Sequence, residues 1–183
     1  MKKINSPFLD LSKRIVLVTG ANGQVGLSLT RSLIACEAKV IAIDLKIDNL
    51  IKLKNKYTFK DNSILIQKCD ISKERNLNVI FSKGNKKFGN INSLVCNAGV
   101  AVFEKFSERS ENSLDKVINV NIKGTFFCIK KFVKNFISHE EGRIVNVASH
   151  YGLVSPDPRI YTDTKRASSE IYGASKSAII QMT

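Results

Sequence analysis

The chain has 183 residues, of which 43% are hydrophobic and 25% charged, figures that suit one globular domain with a sizeable core. No apolar run approaches the ~18 residues that span a bilayer, and Met1-Lys2-Lys3-Ile4-Asn5-Ser6-Pro7 lacks the uninterrupted apolar core of a secretory signal, so the cytoplasm is the expected compartment. A net charge of +13 raises an anionic partner, but the lysines are spread, and their short groups at Lys52 to Lys56 and Lys83 to Lys87 carry no interleaved aromatics, so neither nucleic acid nor a membrane is the expected partner.

Residues 14–19 form a short β-branched run ended by Gly20, as a buried strand should be. Gly20-Ala21-Asn22-Gly23-Gln24-Val25-Gly26 follows, then Leu27, Leu29, Leu33 and Ile34 on a helical period. Val40 to Ile43 make a second strand closing on Asp44, and Ile64 to Ile66 a third closing on Cys69-Asp70; a basic helix is expected over 45–60. A polar helix is expected over 73–83, before a fourth strand, Ile91 to Val95, ending at Cys96-Asn97-Ala98-Gly99. From about Ser110 to Ile137 an apolar band of Leu114, Val117, Ile118, Ile122, Phe126, Ile129, Phe132, Val133 and Phe136 predicts a long helix, with Asn121 inside the band. Ile144 to Val147 are a fifth strand, closing on Ala148-Ser149.

Strands alternating with helices imply βαβ units, and right-handed crossovers then give an α/β fold: a Rossmann-type doubly wound parallel sheet with helices on both faces. No repeat, linker or domain boundary interrupts it, so residues 1–183 read as a single dinucleotide-binding domain. Such sheets bind ligands outside the carboxyl ends of their strands. Thr19, Asp44, Asp70, Asn97 and Ser149 all close strands, which gathers the polar chemistry along that edge.

Glycines at 20, 23 and 26 let the chain turn, bring backbone N–H groups near a pyrophosphate, and seat the helix against the strand. Asp44 lies 18 positions after Gly26, where a carboxylate would hold the ribose hydroxyls of a dinucleotide. That carboxylate repels a 2′-phosphate, so NAD is favoured over NADP, although Lys46 softens the repulsion. The cysteines at 36, 69, 96 and 128 have none of the short spacings of zinc or redox motifs and read as buried reduced thiols; no metal is expected.

Tyrosine and lysine four residues apart on a helix share one face, and the lysine favours the phenolate, which suits proton transfer. Two such pairs occur, Tyr161 with Lys165 and Tyr172 with Lys176. The first lies 12 positions after Ser149 and the second 23. Tyr161 follows Pro156 and Pro158 in a polar stretch, whereas Tyr172 leads Ala174, Ala178, Ile179, Ile180 and Met182, a helix with something to bury. Tyr172 is the expected catalytic residue, after an expanded loop over 150–171.

Taken together, Thr19 with its glycine loop, Asp70, Asn97-Ala98-Gly99, Asn119-Val120-Asn121, Ser149, and Tyr172 with Lys176 resemble the short-chain dehydrogenase/reductase family, in its order and over nearly the whole chain from about residue 12. The resemblance implies hydride transfer between a nicotinamide cofactor and a carbonyl or alcohol carbon. Tyr172 would be the general acid or base, and Lys176 would assist it and bind the nicotinamide ribose. Ser149 would hydrogen-bond the substrate oxygen, and Asn121 would anchor a water relay behind the lysine.

The cofactor-binding set then comprises Thr19, Gly20, Asn22, Gly23, Gln24, Val25, Gly26, Asp44, Leu45, Asp70, Ile71, Asn97, Ala98, Gly99, Tyr172 and Lys176. The expected partner is a small-molecule alcohol or carbonyl compound, sugar derivatives included, with a homo-oligomer for a full-length form. The chain departs from the family at Gln24, where the commoner loop has its middle glycine, and at Cys96, where asparagine is usual. Thr183 stops within the tyrosine helix, so the C-terminal part of the fold is expected to be missing. A non-catalytic nucleotide-binding remnant or interaction module is the alternative reading.

Overall fold

The computed structural model describes residues 9–57, 62–136, 141–157, 159 and 169–183. Its sheet is β1 (Ile15–Thr19), β2 (Lys39–Asp44), β3 (Ile64–Lys68), β4 (Ser93–Cys96) and β5 (Arg143–Asn146), in the order β3-β2-β1-β4-β5. Every pairing is parallel: Val16 lies beside Val40 on one side and Ser93 on the other, Val40 beside Ile64, and Ser93 beside Arg143. The order reverses between β2 and β4, on either side of β1. At such a switch point successive crossovers leave on opposite faces and open a crevice above the strand ends.

Alternation along the strands sorts two cores. Leu17, Ile41, Ile43 and Leu94 pack on one face with Leu77, Ile80, Phe81 and Phe88 of α3 (Glu74–Phe88) and with Cys128 and Phe132 of α5 (Thr125–Phe136). Val16, Val18, Val40, Ala42 and Val95 point the other way, toward Ile34 of α1 (Gln24–Ala35) and Leu50 of α2 (Asp48–Lys56). Successive strand residues point to opposite faces, so a continuous apolar run serves both cores.

Three helices differ from expectation, the first being α2, which begins at Asp48 rather than at 45 and ends at Lys56. α3 runs five residues past the expected Lys83 because Leu77, Ile80, Phe81, Gly84 and Phe88 hold one buried line in which Gly84 interrupts the apolar count. The long helix comprises α4 (Glu111–Val117), a π-helical stretch over Ile118–Gly124, and α5, ending at Phe136. Ser110 caps its start, its hydroxyl accepting from the Ser113 N–H at 3.2 Å. Its buried line is Val117, Asn121, Thr125, Cys128 and Phe132, while Phe126 and Val133, expected in the apolar band, are 50% and 41% exposed. The wider stretch turns the second half of the helix relative to the first; Asn121 falls inward as expected, while an apolar count does not register Thr125.

Cys69, Cys96 and Cys128 are buried free thiols, whereas Cys36, expected to be buried, is only partly so. Burial pushes the Cys69 thiol up to about 11 and the Cys96 thiol up to about 12, so both stay protonated near neutral pH. No helix among the described residues is long and apolar enough to cross a membrane.

Candidate active site

β1 ends in Thr19, whose hydroxyl accepts from the Asn97 and Ala98 N–H groups at 3.0 Å each. The Asn97 amide returns two bonds, donating to the Thr19 and Gly20 carbonyls at 3.1 and 3.0 Å. These bonds join the glycine loop to the end of β4. Gly20 has φ +63°, and a Cβ there would stand 2.6 Å from the Ala98 Cα, so this turn admits no side chain.

The start of α1 fits an anion. Gly23 caps it without a side chain, the first turn holds no acidic residue, and the backbone N–H groups there have no side-chain acceptor. Gln24, counted in the cofactor-binding set, is exposed. Asn22 turns elsewhere: its side-chain oxygen accepts from the Asn49 and Leu50 N–H groups at 2.9 and 3.1 Å and so caps α2 from outside. Its own N–H donates to Asp44 Oδ2 at 3.0 Å.

A hollow of about 110 Å³ is lined by Gly20, Asp44, Leu45, Cys69, Asp70, Ile71, Ala98, Gly99, Val100 and Val120. Two carboxylates flank apolar walls, and such acceptors beside apolar surface suit the hydroxyls and base of adenosine. Asp70 Oδ1 also accepts from the Ser72 N–H at 3.0 Å and its hydroxyl at 2.6 Å, forming the turn that leads into α3.

Across Gly99 and Val100 opens a cleft of about 610 Å³, whose lining includes Val25, Asn97, Phe103, Ser149, Tyr151, Tyr172 and Lys176. α6 (Glu170–Gln181) brings Tyr172 and Lys176 to it, with Ser169 capping the helix by accepting from the Tyr172 N–H at 3.3 Å. Lys176 is 4% exposed. Its Nζ lies 5.6 Å from the centre of the Tyr172 ring and donates to the Val147 carbonyl at 2.6 Å. Burial holds its ammonium below the usual lysine value. Ser149 caps the single turn His150–Gly152, accepting from the Tyr151 N–H at 3.2 Å.

Asn121 is fully buried behind this group. Its Oδ1 accepts from the Val100 N–H at 2.8 Å, while its Nδ2 donates to the Val100 carbonyl at 3.0 Å and to Ser175 Oγ at 2.9 Å. The Ser175 hydroxyl donates in turn to the Tyr172 carbonyl at 2.7 Å. Tyr161 and Lys165, the rival pair, lie outside the described residues. Sequence reasoning missed Phe103, Tyr151 and Ser175. No periodicity marks the first two, and Ser175 carries its signal only by standing next to Lys176.

The short chain dehydrogenase family model matches residues 14–183. The chain belongs to that family. Among curated relatives, the 3-oxoacyl-(acyl-carrier-protein) reductase of Rickettsia typhi is 31% identical over 96% of this chain and 66% of its own length. The NAD-dependent glycerol dehydrogenase of Listeria innocua is 28% identical over 95% of this chain and 63% of its own. A Leptospira borgpetersenii short chain dehydrogenase with bound NAD+ superposes with a TM-score of 0.80 at 29% identity, covering 96% of this chain and 64% of that one. The NADP-bound protein ElxO also reaches 0.80, at 28% identity, covering 93% of this chain and 65% of that one. The chain thus spans a little under two thirds of the length of the relatives first matched.

Proposed function

We propose that the chain is the cofactor-binding and catalytic part of a nicotinamide-dependent oxidoreductase acting on an alcohol or carbonyl group. The observation that carries this reading is that Ser149, Tyr172 and Lys176 line one cleft with Asn97 and Gly99. A bound nicotinamide dinucleotide supplies the hydride donor or acceptor. Tyr172 gives a proton to the substrate oxygen during reduction, or takes one during oxidation. Ser149 hydrogen-bonds the same oxygen, and Lys176 supports Tyr172 from below while reaching for the ribose. Asn121 holds Val100 and Ser175, and through them the wall and the helix that face each other across the cleft.

NAD is the preferred cofactor in this reading, because the Asp44 carboxylate lines the small hollow and would repel a 2′-phosphate bound there. The substrate is an uncharged small molecule, consistent with the valine, phenylalanine and tyrosine side chains in the cleft lining.

Titrating the purified chain with NADH and NADPH, then assaying hydride transfer to an acetoacetyl thioester and from glycerol, tests the reading. Tyr172→Phe is expected to lower turnover by about 10²–10⁴-fold with NADH affinity retained, while Tyr161→Phe keeps it. The reverse result assigns the chemistry to Tyr161. Tight NADH binding with no turnover on any alcohol or carbonyl compound favours the non-catalytic binding module.

A further inference from the structure

Arg109 lies between β4 and α4, outside every motif of the family resemblance, and its side chain is 7% exposed. Its guanidinium forks Glu170, the first residue of α6: Nε donates to Oε1, and Nη2 donates to Oε2 at 3.1 Å. Nη1 donates to the Val102 carbonyl at 3.3 Å, and Nη2 also donates to the Glu104 carbonyl at 3.1 Å. The Glu104 carboxylate stands 3.8 Å from Nη1 and accepts from Ser113 Oγ at 2.6 Å and the Ser110 N–H at 3.2 Å. The Arg109 hydrogen bond holds the Glu170 carboxyl below the usual carboxylate range.

Three stretches of chain therefore meet at one buried cation. They are the cleft wall running from Gly99 to Phe103, the start of the helix that carries Asn121, tied in through the Glu104 carboxylate, and the first turn of the helix that carries Tyr172. The planar fork of arginine fixes both distance and rotation of a carboxylate, as a lysine ammonium does not. Tyr172 sits two residues after Glu170, so the turn that the fork anchors is the one from which the phenol projects.

We propose that Arg109, acting through Glu170, is a positioning residue that sets Tyr172 against the cofactor-side wall of the cleft. This rests on the reading of Tyr172 as the acid or base only for its catalytic consequence. The geometric claim stands apart from it.

The test uses the full chain carrying 3-fluorotyrosine at its four tyrosines, with the Tyr172 fluorine resonance assigned by its loss in Tyr172→Phe. Glu170→Gln and Arg109→Lys are each expected to shift or broaden the Tyr172 resonance while leaving that of Tyr57 in place. In the same variants, turnover on whichever probe the parent accepts falls about tenfold or more with NADH affinity unchanged, as for a misplaced catalytic group. Lys105→Ala breaks the exposed Lys105–Glu108 pair, 3.1 Å apart on the same segment, and should change neither readout. A lowered unfolding temperature with an unmoved Tyr172 resonance in both variants overturns the proposal and leaves Arg109 a stabilising contact. A moved resonance in a parent chain without turnover upholds the clamp and removes the catalytic reading instead.

Discussion

Gly26 has no room for a methyl group, and Gly23 has. A Cβ at Gly26 would overlap the Gly20 carbonyl oxygen and stand 2.6 Å from the Ala21 Cα, whereas at Gly23 it would meet only the Gly20 oxygen at 3.5 Å. Gly26→Ala is therefore expected to destabilise the fold by about 2–4 kcal/mol, as overpacking against backbone does, read from the urea midpoint. Gly23→Ala should fold normally, its methyl group meeting the Gly20 oxygen at ordinary contact distance, and should weaken NADH binding by crowding the proposed pyrophosphate position. Lys176 offers a second contrast. Burial lowers its folded pKa, so protonated lysine favours the unfolded chain at neutral pH, and stability rises as pH climbs from the folded value toward 10.5. Lys176→Met should raise the unfolding temperature near pH 7 by about 2–4 °C, for ~1 kcal/mol, with the advantage shrinking in alkaline buffer. Thermal melts across that range check the sign.

At the scale of the element, the long helix from Glu111 to Phe136 shows what apolar periodicity reads and what it passes over. Its existence and its start near Ser110 were legible, since the apolar repeat is strong. Its inward face was legible only in part: Asn121 falls inside the apolar band and is buried, but Thr125, also buried, does not, and Phe126 and Val133, which do, are exposed. Asn121 is tolerated there because both ends of its amide are bonded, to Val100 and to Ser175. Asn121→Ala leaves the Val100 N–H and carbonyl without these partners inside the fold, so a loss of about 3 kcal/mol is expected. The denaturant midpoint should fall accordingly, and turnover should fall further than stability does, because the same amide joins the cleft wall to the tyrosine helix. The Arg109–Glu170 pair had no such sequence signal: 61 positions separate the two residues, and neither breaks a pattern.

For the whole molecule, stability rests on the two cores that the parallel strands divide between them. Phe81 is 2% exposed on α3, and Phe126, nominally as apolar, is 50% exposed on α5. Phe81→Ala is expected to cost about 3–5 kcal/mol and Phe126→Ala within about 0.5 kcal/mol, compared by urea unfolding at equal protein concentration. The order of strands and helices, the parallel sheet and the gathering of Thr19, Asp44, Asp70, Asn97 and Ser149 at one edge followed from the sequence by itself, because β-branched runs, glycines and helical periods are local signals and right-handed crossovers leave little choice of topology. Which strands neighbour which, with the reversal at β1, was decided by tertiary structure, as was the diversion of Asn22 to capping α2. The wide turn at Asn121, the burial of Lys176 against the Val147 carbonyl and the clamp at Arg109 were decided there too. Each depends on atoms far apart in the chain meeting at close range, and no local pattern of residue types encodes a distance across the fold.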